Sequence, residues 1–424
     1  MLSKLKLLFT DKNKDLRKKI LFTFICLFVF KLGTAIIVPG VDTAALGKDL
    51  GFLDLINAMG GGAMEKFSIL SLGVMPYITA SIITQLLSQM ELIPYLAELT
   101  KQGGVGRAKL NQITRVLGII LAFFQGYMLS FTFIKGGSVM DYMTFSVILT
   151  AGTCFLLWLG DQITAKGIGN GISLIIMAGI IATLPAMFKD AYGALVVAGD
   201  LQVTLFGITK FILFIGVYLA IVLAVVYEET SERRIPVQYA NKTNSVYGAN
   251  NNYMPFKLNS AGVIPVIFAS ALISIPGLIA SFVKNEGFSL FVSKWLTLNT
   301  VTGFILYLIL IVIFALIYTF MQIKPKELAE NLNKNGGFIP GIRPGEETIR
   351  YISRVLKRIS TVGAFFLAFI AALPIVFGAV SGLPTSVRIG GTGLLIVVGV
   401  ALETYKQIES KLVTGEYRRG RRRR

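Results

Sequence analysis

Ten runs of about twenty apolar residues recur along the chain, at roughly 20–38, 70–92, 113–134, 143–159, 172–188, 207–227, 261–283, 301–322, 359–377 and 390–407. Nothing else restricts the fold so strongly. Twenty residues rising about 1.5 Å each match the roughly 30 Å hydrocarbon core of a bilayer. Lipid offers no partner for a peptide N–H or C=O, so each run must satisfy its own backbone as a helix. The expected class is an all-α polytopic membrane protein with ten transmembrane helices. Charged residues make up 15% of the 424, against about 25% in soluble domains.

Lys and Arg give the helices a direction. With the N-terminus in the cytoplasm, segments 1–19, 93–115, 160–171, 228–260, 323–358 and 408–424, with Lys406, hold 32 of the 41 basic residues. The opposite side holds seven. Positive charge collects on the cytoplasmic side, so both termini are expected there. Orientation and the anionic inner leaflet then account for the net charge of +18. The closing "YRRGRRRR" reads as a solvated, membrane-facing charge run rather than a nucleic-acid reader. The first apolar run, preceded by Lys14, Arg17, Lys18 and Lys19, has the length of a span and no small-residue cleavage site after it, so it reads as retained.

The chain has no histidine, which removes His-based acid–base catalysis, His triads and most transition-metal sites. Cys26 and Cys154 sit in apolar runs and read as plain thiols. No catalytic group, metal or cofactor is expected. Lys31 is the one ionisable residue placed inside a run; Asp161, Glu228, Glu403 and Lys210 fall at run ends.

Two runs share a phrase, "GVMPYITASII" at 73–83 and "GVIPVIFASAL" at 262–272, identical at six of eleven positions. The copies are offset by five helices, so the second half enters the membrane from the opposite side. That is an inverted repeat, which sets a pathway between halves. Pro76 and Pro265 each remove a helical hydrogen bond. A fainter echo joins "GNGISLII" at 169–176 to "GTGLLIVV" at 391–398. The expected division is a basic N-terminus (1–19), an N-terminal half (20–188), a linker (189–206), a C-terminal half (207–407) and a basic tail (408–424). Segment 51–70, half apolar and broken by Gly60-Gly61-Gly62, reads equally as an infolded helix or a surface loop. A passive pore with an apolar constriction and a small-solute transporter both use such a repeat. The transporter needs buried ionisable groups that the runs do not supply.

Along nearly its full length the chain resembles the SecY family of protein-conducting channels. "LGVMPYITASIITQLL", "WLGDQITAKGIGNGISLII", "NSAGVIPVIFAS", "GFIPGIRPGEET" and "GGTGLLIVV" carry the resemblance, in family order. It implies an hourglass of two inverted five-helix halves opening sideways to lipid. It further implies a pore ring of Val74, Ile78, Ile172, Ile176, Ile267 and Ile396, and a plug at about 51–66 comprising Phe52, Leu53, Leu55, Ile56, Met59, Gly60, Gly61 and Gly62. A lateral gate between the second and seventh helices would contain Thr79, Gln85, Ser270 and Ile275. Docking of a SecA motor or a ribosome would fall to Arg343, Arg233, Arg234, Lys257 and Arg350. The other implied partners are SecE- and SecG-like small subunits, signal sequences, nascent polypeptides and anionic lipids, in a bacterial plasma membrane. Many relatives carry an Arg pair before "VY" in the fourth cytoplasmic loop; here "NKTNSVY" offers only Lys242.

Overall fold

The computed structural model describes residues 14–39, 54–134, 137–196, 201–239, 253–283, 285–298 and 300–422. Among them ten long helices stand where the apolar runs lie. In the N-terminal half these are α1 (Lys14–Gly33), α3 (Met75–Gln89), α5 (Gly103–Phe133), α6 (Val139–Lys166) and α7 (Gly171–Leu195). The C-terminal half supplies α8 (Leu201–Thr230), α9 (Ile264–Val283), α11 (Val301–Gln322), α13 (Glu346–Val380) and α14 (Thr385–Arg422). Short helices α2 (Asp54–Met59), α4 (Pro94–Lys101), α10 (Glu286–Trp295) and α12 (Pro325–Lys334) fill the connections. Among the described residues, six helices are by length and apolarity alone sufficient to cross a membrane, beginning at Gly103, Val139, Gly171, Thr204, Val301 and Glu346.

The repeat survives as backbone geometry. Gly73 (φ 56°) and Gly262 (φ 63°) both adopt the left-handed conformation, and in each copy a helix starts two residues later with proline as its second residue. A proline in the first turn loses no hydrogen bond and pre-sets φ. Pro76 and Pro265 therefore start helices rather than interrupt them, a correction to the sequence expectation. The interior prolines are Pro185, Pro276 and Pro374. The Gly-x-Gly echo diverges: Asn170 caps α7, its side chain accepting from Ile172 and Ser173 N–H, whereas Gly391 and Gly393 lie inside α14. A Cβ on Gly393 would come within 2.8 Å of Ile180 on α7, so that glycine serves close packing between halves.

Helix ends depart from the apolar runs for identifiable reasons. α1 stops at Gly33, and Val38 N–H donates to Phe67 O at 2.8 Å instead of continuing a helix. Lys31 thus lies in the last turn of α1, where a cation suits the helix terminus. Lys210, nine residues into α8, holds its ammonium 4.5 Å from the Phe206 ring centroid. At the basic end, α13 begins well before its apolar run and α14 continues through the basic tail to Arg422.

Most buried apolar side chains form one cluster running through both halves. A smaller one, Ile235, Val237, Phe256, Ala329, Leu332, Ile339, Ile352 and Leu356, sits outside it among the basic-end loops. There β1 (Glu232–Pro236) pairs antiparallel with β3 (Tyr253–Lys257), and β2 (Gln238–Tyr239) with β4 (Gly337–Phe338).

Candidate functional site

The six residues expected to form a ring lie in or against the main cluster. Val74, Ile78, Ile176, Ile267 and Ile396 are buried, and half-buried Ile172 packs against them. They come from four helices or helix starts. Val74 caps α3 and Ile78 lies one turn in; Ile172 and Ile176 occupy successive turns of α7; Ile267 and Ile396 belong to α9 and α14. Ile78 and Ile267 each stand five residues after the left-handed glycine of their repeat copy, so the pseudo-symmetry itself presents them to the same core. Beside Ile267, towards the basic end, a cavity of about 140 Å³ is lined by Ser173, Glu229, Lys257, Asn259, Glu403 and Lys406 among others.

Helix α2 packs against α7 and α14. Phe52 and Leu53 fall outside the described residues; Leu55 and Ile56 lie in α2. Met59, Gly60, Gly61 and Gly62 are buried. Gly61 (φ 75°) and Gly62 (φ 78°) need the glycine conformation. The approach of this run to α7 is backbone against backbone. A Cβ on Gly179 would collide with the Met59 carbonyl and lie 3.1 Å from the Gly61 nitrogen. Lys31 Nζ donates to Gly61 O at 3.4 Å.

Helices α3 and α9 touch along the expected seam. The hydroxyls there are satisfied away from it: Thr79 Oγ1 donates to Met75 O within α3 (3.1 Å), and Ser270 Oγ lies 3.4 Å from Tyr307 OH on α11. Gln85 Nε2 donates to Ser81 Oγ at 2.9 Å, while its buried Oε1 has no partner among the described residues. Gln85 lines a narrow crevice with Ile82 and Leu86 of α3, Phe268 of α9, and Phe314 and Tyr318 of α11. Ile275 is half-buried on α9.

The two basic loops are one structure. Register pairs Gln238 with Phe338 and Tyr239 with Gly337, so β2–β4 stitches the loop after α8 to the loop before α13. Ile339 is buried in the small core, Gly341 (φ 80°) and Gly345 (φ 106°) turn the chain, and Thr348 Oγ1 donates to Arg343 O at 2.9 Å. Arg343 is thereby presented to solvent from a pinned backbone, with no salt bridge among the described residues. Arg233 is exposed too, on β1. Arg234 binds Glu232 (2.7 Å) and lies over the Tyr253 ring, and Arg350 sits 3.8 Å from Glu346. Lys257 is exposed at the end of β3 and also lines the cavity beside Ile267. Residues 240–252, with Lys242, lie outside the described residues.

Some features escaped the sequence. Tyr307 is fully buried beside Ser270, and nothing in a Leu/Ile-rich run marks one tyrosine as a hydrogen-bonding partner. Asn259 Nδ2 donates to Glu229 Oε1 (3.4 Å) and Gly262 O (3.1 Å), and Lys406 Nζ donates to Glu229 O (2.8 Å) across 177 residues. Glu228, placed by the sequence at a run end, is fully buried, its two oxygens unpartnered among the described residues. Replacing Tyr307 by Phe strips the buried Ser270 hydroxyl of this bond and should cost about 1 kcal/mol. Unfolding in detergent would read that loss, and Ser270→Ala added to Tyr307→Phe should recover most of it.

A family model described as SecY matches residues 68–405. Proteins named "Protein translocase subunit SecY" from Staphylococcus carnosus (strain TM300) and Staphylococcus aureus (strain NCTC 8325) are 45% and 44% identical over 419 residues, covering 96% of this chain and 97% of each relative. Among solved structures, "The structure of a protein conducting channel" superposes with TM-score 0.67 at 23% identity, over 94% of this chain and 93% of that one. "Sec61 in the Canine ribosome-channel complex from the endoplasmic reticulum" superposes with TM-score 0.64 at 22% identity, with the same coverage. Two inverted halves meeting at a shared apolar core, and identity sustained over almost the whole length, lead to one assignment: the chain belongs to the SecY family, as a multi-pass membrane protein.

Proposed function

We propose that this chain is the central subunit of a protein-conducting channel, passing secretory polypeptides across the bacterial plasma membrane and releasing membrane segments sideways into it. The observation that carries this reading is the convergence of six aliphatic side chains from both halves on one buried cluster, with a glycine run packed beneath it. Aliphatic side chains close around any sequence without hydrogen-bonding it, and an apolar constriction resists wetting by ions. The seam chemistry favours sideways opening. Because Thr79 and Ser270 find partners off the seam, parting α3 from α9 strands neither hydroxyl in lipid.

The channel on this reading is passive and not an enzyme. Work comes from a SecA-type motor or a translating ribosome docked on the β2–β4 platform, with SecE- and SecG-like subunits completing the assembly and both termini cytoplasmic. Fixed guanidinium groups suit RNA phosphate and acidic protein surfaces. Arg343→Ala should therefore weaken motor or ribosome binding by about 2 kcal/mol, roughly thirtyfold, with thermal stability unchanged. Arg350→Ala, whose side chain has Glu346 beside it, should do less. Equal binding by wild type and Arg343→Ala in co-sedimentation would remove the loop from the docking surface.

Reconstitution tests the whole reading. Vesicles containing this chain, the two small subunits, motor and ATP should import a secretory precursor into a protease-protected space. Correct assembly without import would overturn it.

A further inference from the structure

One amphipathic element takes no part in the channel described above. Helix α10 (Glu286–Trp295) joins α9 to α11 at the end of the bundle opposite the β1–β3 pair. At 100° per residue, Leu290, Lys294, Phe291 and Trp295 occupy one arc of about 140°. Phe288 and Val292 follow on the next arc, and Ser289, Ser293 and Glu286 close the circle. The middle arc faces the protein, with Val292 buried and Phe288 half-buried. The first does not: Leu290 is 67%, Phe291 52% and Trp295 47% exposed. Three large apolar side chains thus stand open around a lysine.

The neighbours say what covers them. Ile279 and Val283 at the end of α9, and Val301 and Ile305 at the start of α11, are exposed apolar residues of flanking spans. The open face of α10 adjoins these exposed apolar ends of α9 and α11. The helix is held there by Asn285 Oδ1, which accepts from Phe288 N–H (3.2 Å), and by Thr302 Oγ1 of α11, which donates to Trp295 O (2.9 Å). Trp at the headgroup boundary, and a Lys stem lying on apolar surface with its ammonium towards phosphate, are the side chains such a position favours.

We propose that α10 is an interfacial helix seated in the outer leaflet, its Leu290–Phe291–Trp295 face among the upper acyl carbons and Lys294 at the lipid phosphates. Because α10 packs on α9, it moors the outer end of one gate helix to the lipid surface. The inference rests on the bilayer-spanning reading and is independent of whether polypeptides pass.

The chain has two tryptophans, so Trp158→Phe leaves Trp295 as the sole reporter. Reconstituted into phosphatidylcholine–phosphatidylglycerol vesicles, its emission should be quenched roughly twofold more by lipids brominated near the headgroup than by lipids brominated near the chain end, matching a seat about 5–10 Å deep. Absence of quenching by both lipids, or stronger quenching by the deep bromines, would overturn the proposal. So would shallow quenching that disappears when the small membrane subunits are added, because a partner would then own the face. Should Trp158→Phe fail to fold, the difference between wild type and Trp295→Phe reads the same ratio.

Discussion

A polar side chain at Ile267 or Ile396 should make the resting channel leak ions. Both residues are buried in the cluster shared by the two halves, and Ile267 also borders the polar cavity towards the basic end. An asparagine in either place lowers the cost of wetting the constriction by about 1–3 kcal/mol, which corresponds to a roughly five- to 150-fold rise in closed-state conductance. Planar-bilayer recording on Ile267→Asn and Ile396→Asn measures it directly. The same change removes part of the barrier that a signal sequence must overcome, so import of precursors with defective signals should rise in parallel. Ile267→Leu keeps the apolar volume and should leave both readouts near wild type. Wild-type conductance and wild-type signal discrimination in both asparagine variants would remove these residues from the constriction.

Gly179→Ala should unseat the plug. The added methyl would meet the Met59 carbonyl, which is backbone and unable to rotate away, so α2 or α7 must shift. Overpacking of this kind costs typically about 1–3 kcal/mol, and α2, at six residues the smallest helix in contact, is the element that gives way. A cysteine placed at Met59 should then react with an aqueous maleimide roughly tenfold faster or more, accompanied by raised resting conductance. Gly193→Ala is the control: it lies on the same helix, and a Cβ there meets nothing within 4 Å. Equal labelling rates in the Gly179 and Gly193 variants would mean the glycine contact does not hold the plug.

The membrane architecture was legible because lipid reduces the choice of backbone conformation to one. Ten runs became ten helices, and the eleven-residue repeat pointed to two places that share both a left-handed glycine and a proline-started helix. Boundaries were less legible, for particular reasons. An apolar count cannot tell a helix from the tight chain before it, so 70–74 was merged with α3 although Gly73 turns the backbone there. Nor does it follow a helix into water: α13 gains its first turns from residues such as Ile352 and Leu356, which pack on the loop core rather than in lipid. Ile78 and Ile267, equivalent in the repeat, share one buried cluster. The Glu229–Asn259–Lys406 and Ser270–Tyr307 contacts join distant segments and leave no local pattern to read.

The small core under the β2–β4 pairing is surrounded by water, while the helix bundle is surrounded by lipid. Eight buried side chains hold the Arg343 platform through ordinary aqueous hydrophobicity, with its heat-capacity signature and its sensitivity to urea. The spans, packed in a medium as apolar as themselves, have no such driving force. One polypeptide therefore obeys two laws of stability. The platform proposed to receive a driving partner can soften with temperature or solute while the packing of the spans holds.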